Sequence, residues 1–195
     1  MTYRRILAIA PLLLLSACSD STSPSAGVAG TVSFTYTGAG GGSFSSTGAI
    51  TPTTSSATVH TMQWAVGWTS SADNGTNVVA NVPRAGGLAD NAIIMANRQT
   101  VGVGTIDPAC APTGTASCNE VMLVLGAPAN DAAPASMCFL ESGTITISSI
   151  SSTSAVGTFA GSGSCLSLST GASSAFEVTN GSFNVPLITG VPVIN

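Results

Sequence analysis

His60 is the one imidazole in this 195-residue chain. That count excludes a histidine metal cluster and any reaction that needs two imidazoles. A serine hydrolase requires a histidine to activate its nucleophile, and His60 is the single residue able to serve. No G-x-S-x-G elbow accompanies it, so it reads as an ordinary strand or loop residue. Carboxylate-pair hydrolysis needs two acids converging on one cleft. The eight acids (Asp20, Asp73, Asp90, Asp107, Glu120, Asp131, Glu141 and Glu177) are spread along the chain, mostly beside turn residues. The Gly-rich stretches at 38–42 and 161–163 match neither a dinucleotide nor a phosphate-binding loop, and there is no lysine for the latter. Asp73-Asn74-Gly75-Thr76-Asn77 offers oxygens to calcium but lacks EF-hand spacing, so a plain turn is expected. No catalytic residue, metal or cofactor is therefore expected, and the chain does not read as an enzyme. Trp64 and Trp68 are more informative. Four residues apart on a strand, they share a face with Val66, either as core or as an aromatic platform for a sugar or other apolar-faced ligand.

The elements that would position these residues are short strands. No window holds an apolar stripe of period 3.6 at helical length, whereas period-2 alternation recurs between turn signals. Thr31–Thr37 alternates Val32, Phe34 and Tyr36 with Thr and Ser, and pairs through the glycine turn with Ser43–Ile50. Further strands are expected at Val59–Thr69, Thr76–Val82, Ala92–Ala96, Thr100–Ile106, Glu120–Leu125, Cys138–Glu141, Gly143–Ile150 and Ala155–Ser162. Pro83–Asn91 and Ala127–Ser136 read as loops. Asn180-Gly181 is the preferred type I′ pair and predicts a hairpin between Phe176–Thr179 and Ser182–Val185. Ten to twelve strands and no helix give an all-β, antiparallel sandwich, with a lipocalin-like closed barrel as the alternative.

The amino terminus carries an address. Arg4-Arg5 precede an apolar run from Ile6 to Leu15, broken at Pro11, and small residues follow. These are the parts of a secretory signal peptide; the run is too short to span a bilayer. Twin-arginine export lacks the rest of its motif here. Leu15-Ser16-Ala17-Cys18 resembles the lipobox of bacterial lipoproteins. That resemblance implies acylation of the Cys18 thiol, cleavage after Ala17 and a third acyl chain on the new amine. Each buried methylene contributes about 0.8 kcal/mol, so such an anchor is durable. The membrane is then the expected partner, through Cys18. Residues 18–27 read as a Ser/Thr/Pro-rich tether, and 28–195 as one domain. Ser19, where inner-membrane lipoproteins tend to hold Asp, favours the outer membrane.

With Cys18 committed to lipid, Cys110, Cys118, Cys138 and Cys165 form an even set. In an oxidising compartment they predict two disulfides among three connectivities. Pairing Cys110 with Cys118 and Cys138 with Cys165 is expected; zinc by all four would lack any C-x-x-C knuckle. Loss of Arg4 and Arg5 leaves Arg84 and Arg98 against eight acids, a net charge of −6. An acidic, lysine-free chain has no basic stripe for nucleic acid. Its solubility must come from Ser, Thr, Asn and Gly.

Gly143–Ile150, Val156-Gly157-Thr158-Phe159-Ala160-Gly161 and Val178–Val185 resemble the C-terminal half of uncharacterised β-rich bacterial lipoproteins, with their G-T-F-x-G and T-N-G-x-F-x-V segments. The resemblance covers about residues 143–188, implies a β fold and brings no catalytic residue. The expectation is a lipid-anchored, non-enzymatic envelope protein contacting another envelope protein or a glycan, the alternative being small-molecule or glycan binding at Trp64 and Trp68.

Overall fold

The computed structural model describes residues 29–38, 40–50, 60–70, 74–106, 118–128 and 133–188. The expected signal peptide, Cys18, the tether, Asp73 and Cys110 lie outside them. Ten strands are present and, among the described residues, no helix: β1 (Gly30–Thr37), β2 (Gly42–Gly48), β3 (Trp64–Ser70), β4 (Gly75–Arg84), β5 (Leu88–Ala96), β6 (Gly102–Thr105), β7 (Glu120–Pro128), β8 (Ser136–Ile150), β9 (Ser154–Ser167) and β10 (Ser173–Pro186). All join one sheet in the order β2-β1-β10-β9-β8-β7-β5-β4-β3, with β6 on the remaining stretch of β8. Every strand pairing is antiparallel. The all-β, antiparallel reading therefore holds, in its barrel form: one sheet curls nearly closed.

The ends of that sheet meet at β3. The Ser46 hydroxyl of β2, wholly buried, lies 2.8 Å from the carbonyl oxygens of Trp64 on β3 and Asn81 on β4. A parallel bridge joins Gly67 to Leu187, and the Ile188 amide donates to the Gly67 carbonyl at 2.9 Å. At Gly30 the backbone of β3 comes so near that a Cβ would stand 2.1 Å from the Ala65 oxygen. Closure matters because an open β2 or β3 edge would present unpaired amides to other chains.

Alternation explains the filling. Val32, Phe34 and Tyr36 point inward from β1 while Thr31, Ser33 and Thr35 point out. Phe34 stacks on Phe44 at 4.9 Å between ring centroids and meets Phe159 edge-on at 5.5 Å. Val78, Ala80, Ile94, Leu123, Ile145 and Ile147 complete the interior. Outside, Ser45 of β2, Ser33 of β1, Ser182 of β10, Thr158 of β9 and Thr146 of β8 stand in one rank across five strands. Neighbours bond there, as Ser33 with Ser182 at 3.1 Å and Thr35 with Thr179 at 3.0 Å. Uncharged hydroxyls thus solvate a face that most proteins cover with charge.

Two expectations are corrected, for one physical reason. The Asn180-Gly181 hairpin does not form: β10 runs unbroken through both residues. Against β9, Val178 faces Gly161 and Gly181 faces Phe159, so Thr179 and Asn180 together oppose one residue. That is a β-bulge, with Asn180 at φ 53°. The extra residue moves the inward set from Phe176 and Val178 to Phe183 and Val185, all four at most 2% exposed. A hairpin would put the same four on one face, hence the misreading. The break expected between Cys138–Glu141 and Gly143–Ile150 is likewise a register shift within β8, between Leu140 and Ser142.

The segments behind the lipoprotein resemblance interlock here. Gly157 faces Phe183 and Phe159 faces Gly181. A Cβ on Gly157 would come within 2.3 Å of the Phe183 ring, and one on Gly181 within 2.7 Å of the Phe159 ring. Each phenyl occupies the space its opposite glycine leaves.

Candidate functional site at the barrel mouth

The expected sites separate on inspection. Cys138 and Cys165 face each other across β8 and β9 and form a disulfide inside the barrel, 0% and 2% exposed. Cys118 is also disulfide-bonded; the expected pairing with Cys110 falls outside the described residues. His60 sits half-buried in the turn before β3, its Nδ1 buried and without a hydrogen-bond partner. Among the described residues no three His, Cys, Asp or Glu converge as a metal site would require.

Trp64, Val66 and Trp68 share a face as their spacing requires, but it is the outer one. There they pack with Ile50, Val79, Ile93 and Ile188 into a second apolar cluster. Trp64 is 0% exposed and Trp68 only half-buried. Trp64 therefore offers no face to a ligand. Neither indole lines the cleft at the barrel mouth.

A different set of residues converges at one mouth of the barrel. Along β4 the inward positions run Val78, Ala80, Val82 and then Arg84; along β5 they run Asp90, Ala92 and Ile94. Asp90 lies opposite Val82, so Arg84 meets it diagonally across the hairpin. Arg84 Nε donates to Asp90 Oδ2 at 2.6 Å, and Nη2 donates to the same oxygen. The other carboxylate oxygen, Oδ1, accepts the Gly126 amide at 3.0 Å. That amide is aimed by a bulge in β7: Ala89 pairs with Ala127 and Asn91 with Val124, leaving Leu125 and Gly126 together against Asp90. Gly126 takes φ 62°, a conformation open to glycine at no steric penalty. A buried carboxylate with both oxygens satisfied is the arrangement a low-dielectric setting demands.

Tyr36, the last inward residue of β1, completes the mouth. The hydrogen bond that Arg84 donates to Asp90 raises the Arg84 pKa above its ordinary value, and the Tyr36 side chain adds to the effect while partial burial opposes it. Arg84 stays charged, held on one edge and about half exposed on the rest. Tyr36, Gly41, Arg84, Leu88 and Leu125, together with Asp90 and Gly126, line a cleft of about 330 Å³. Chemically the cleft offers guanidinium donors, a phenol hydroxyl and two leucine walls.

The expected Pro83–Asn91 loop conceals these residues. β4 instead extends to Arg84, Ala85 to Gly87 turn, and β5 begins at Leu88. The signal that would have found them is parity: Arg84 continues the even-numbered inward set of β4, and Asp90 begins that of β5. Glycines and a proline nearby masked it. No protein-family model, no curated protein and no solved structure matches this chain, so the mouth is described on its own geometry.

Proposed function

We propose that the protein is an exported lipoprotein, anchored through Cys18, whose β-barrel serves the cell envelope by contact rather than by catalysis, with an envelope protein or a glycan as partner. The observation carrying this reading is the Cys138–Cys165 disulfide buried inside the barrel. Structural disulfides persist in oxidising compartments, where the signal segment and lipobox would deliver the chain. Among the described residues the first strand begins at Gly30, twelve residues beyond Cys18 in sequence. The hydroxyl-rich, nearly charge-free outer face suits a protein that works among envelope polymers. The outer membrane is the favoured residence, through Ser19.

Growth with an alkyne-tagged fatty acid tests the anchor. The wild-type chain is expected to take up the tag and sediment with membranes. The Cys18→Ser chain is expected to do neither. Equal labelling of both would refute the assignment.

A second reading, small-molecule binding, is favoured by the barrel-mouth cleft.

A further inference from the structure

We propose that the barrel mouth binds a neutral, oxygen-rich small molecule the size of one or two sugar rings, gripped by the Arg84 guanidinium and the Tyr36 hydroxyl between Leu88 and Leu125. The argument begins with Asp90. It is 3% exposed, yet its carboxylate is fully satisfied by Arg84 and the Gly126 amide. Closing a barrel end does not require ions: apolar side chains of similar volume do so with less desolvation. What the pair achieves, and leucines would not, is a guanidinium fixed in direction at an open cleft. Only one of its edges faces Asp90, and about half of the side chain stays accessible. Guanidinium nitrogens are donors without acceptor capacity, so the ligand must bring oxygens.

Charge narrows the class. Asp90 neutralises Arg84 from behind, and the chain as a whole carries net −4. An anion therefore finds no net attraction at long range. Hydroxyl or carbonyl oxygens of an uncharged molecule do not bear that penalty. Leu88, 37% exposed at the rim, and Leu125 supply apolar walls for the carbon face of such a molecule. A cleft of about 330 Å³ lies at the small end of the range that ligand sites occupy. The mouth of a barrel is a recurrent place for one.

This inference stands apart from the lipid anchor, since a chain found without acylation would still possess the mouth. The test uses the full-length protein in detergent and saturation-transfer NMR. The probes are glucose, N-acetylglucosamine and diacetylchitobiose, with acetate and inorganic phosphate as anionic comparators. At least one saccharide is expected to receive saturation and the two anions none. Arg84→Met and Leu88→Trp are each expected to weaken that binding by about tenfold or more, the loss of one well-placed interaction. Leu88→Trp narrows the cleft while keeping both partners of the ion pair, so it decides alone if Arg84→Met does not fold. Thr35→Ala, on the outer face, is expected to bind as wild type. The proposal is overturned by silence from all three saccharides, by acetate or phosphate binding in their place, or by saccharide binding that survives Leu88→Trp.

Discussion

At the scale of single residues, two side chains hold conformations or charges that chemistry alone would disfavour. Asn180 takes φ 53° inside a strand, a region where a Cβ crowds the following carbonyl and only Gly, Asn and Asp settle readily. Asn180→Ala is expected to lose about 1 kcal/mol of stability, whereas Asn180→Gly stays within about 0.5 kcal/mol; urea unfolding distinguishes them. Equal losses would mean that the Asn180 side chain, not its backbone, holds the bulge. Glu120 opens β7 at 4% exposure, and desolvation raises its pKa above the ordinary 4.5. The folded state therefore holds this proton more tightly than the unfolded chain, and stability from it is lost as pH rises through the raised value. Glu120→Gln removes that loss. Its melting temperature is expected to exceed wild type at pH 7, the two curves converging below pH 4.5. A gap that persists or widens in acid would contradict the desolvation account. Neither residue announces this in sequence: Asn before Gly reads as a turn, and a lone Glu at a strand start reads as solvated.

At the scale of elements, the sequence discloses where strands run better than where they stop. Alternation marks β1 because it keeps one parity throughout its length. In β8 and β10 the parity switches midway, and a switch is equally the mark of a turn or of one extra residue. Only pairing with neighbours decides, and those partners are distant: β10 pairs with β1 across a separation of about 150 residues. The mouth was hidden by the same difficulty, since Arg84 and Asp90 belong to strand ends that turn residues obscured. The Cys138–Cys165 pairing, by contrast, follows from the even cysteine set, and β8 and β9, which carry the two, pair directly. Replacing both with Ala is expected to lower stability by about 3–4 kcal/mol, the loop-entropy value for a separation of this size, read from denaturant unfolding under non-reducing conditions. A loss below about 1 kcal/mol would show that pairing of the flanking strands already confines the unfolded chain.

At the scale of the whole molecule, a nearly closed barrel solves several problems together. It brings together sheet edges that would otherwise pair between copies, and it sets apolar residues inside while a hydroxyl surface faces water. It also leaves an open end where an arginine and a buried aspartate can be held. This whole account depends on the fate of five cysteines: one committed to lipid, four paired. Intact mass spectrometry of the protein extracted from membranes, with and without thiol alkylation, reads both at once. The account predicts a 178-residue chain beginning at Cys18, the 195 residues less the first 17, carrying acyl mass and taking up no alkylating agent until reduced. An amino terminus without lipid, or thiols that alkylate before reduction, would contradict it.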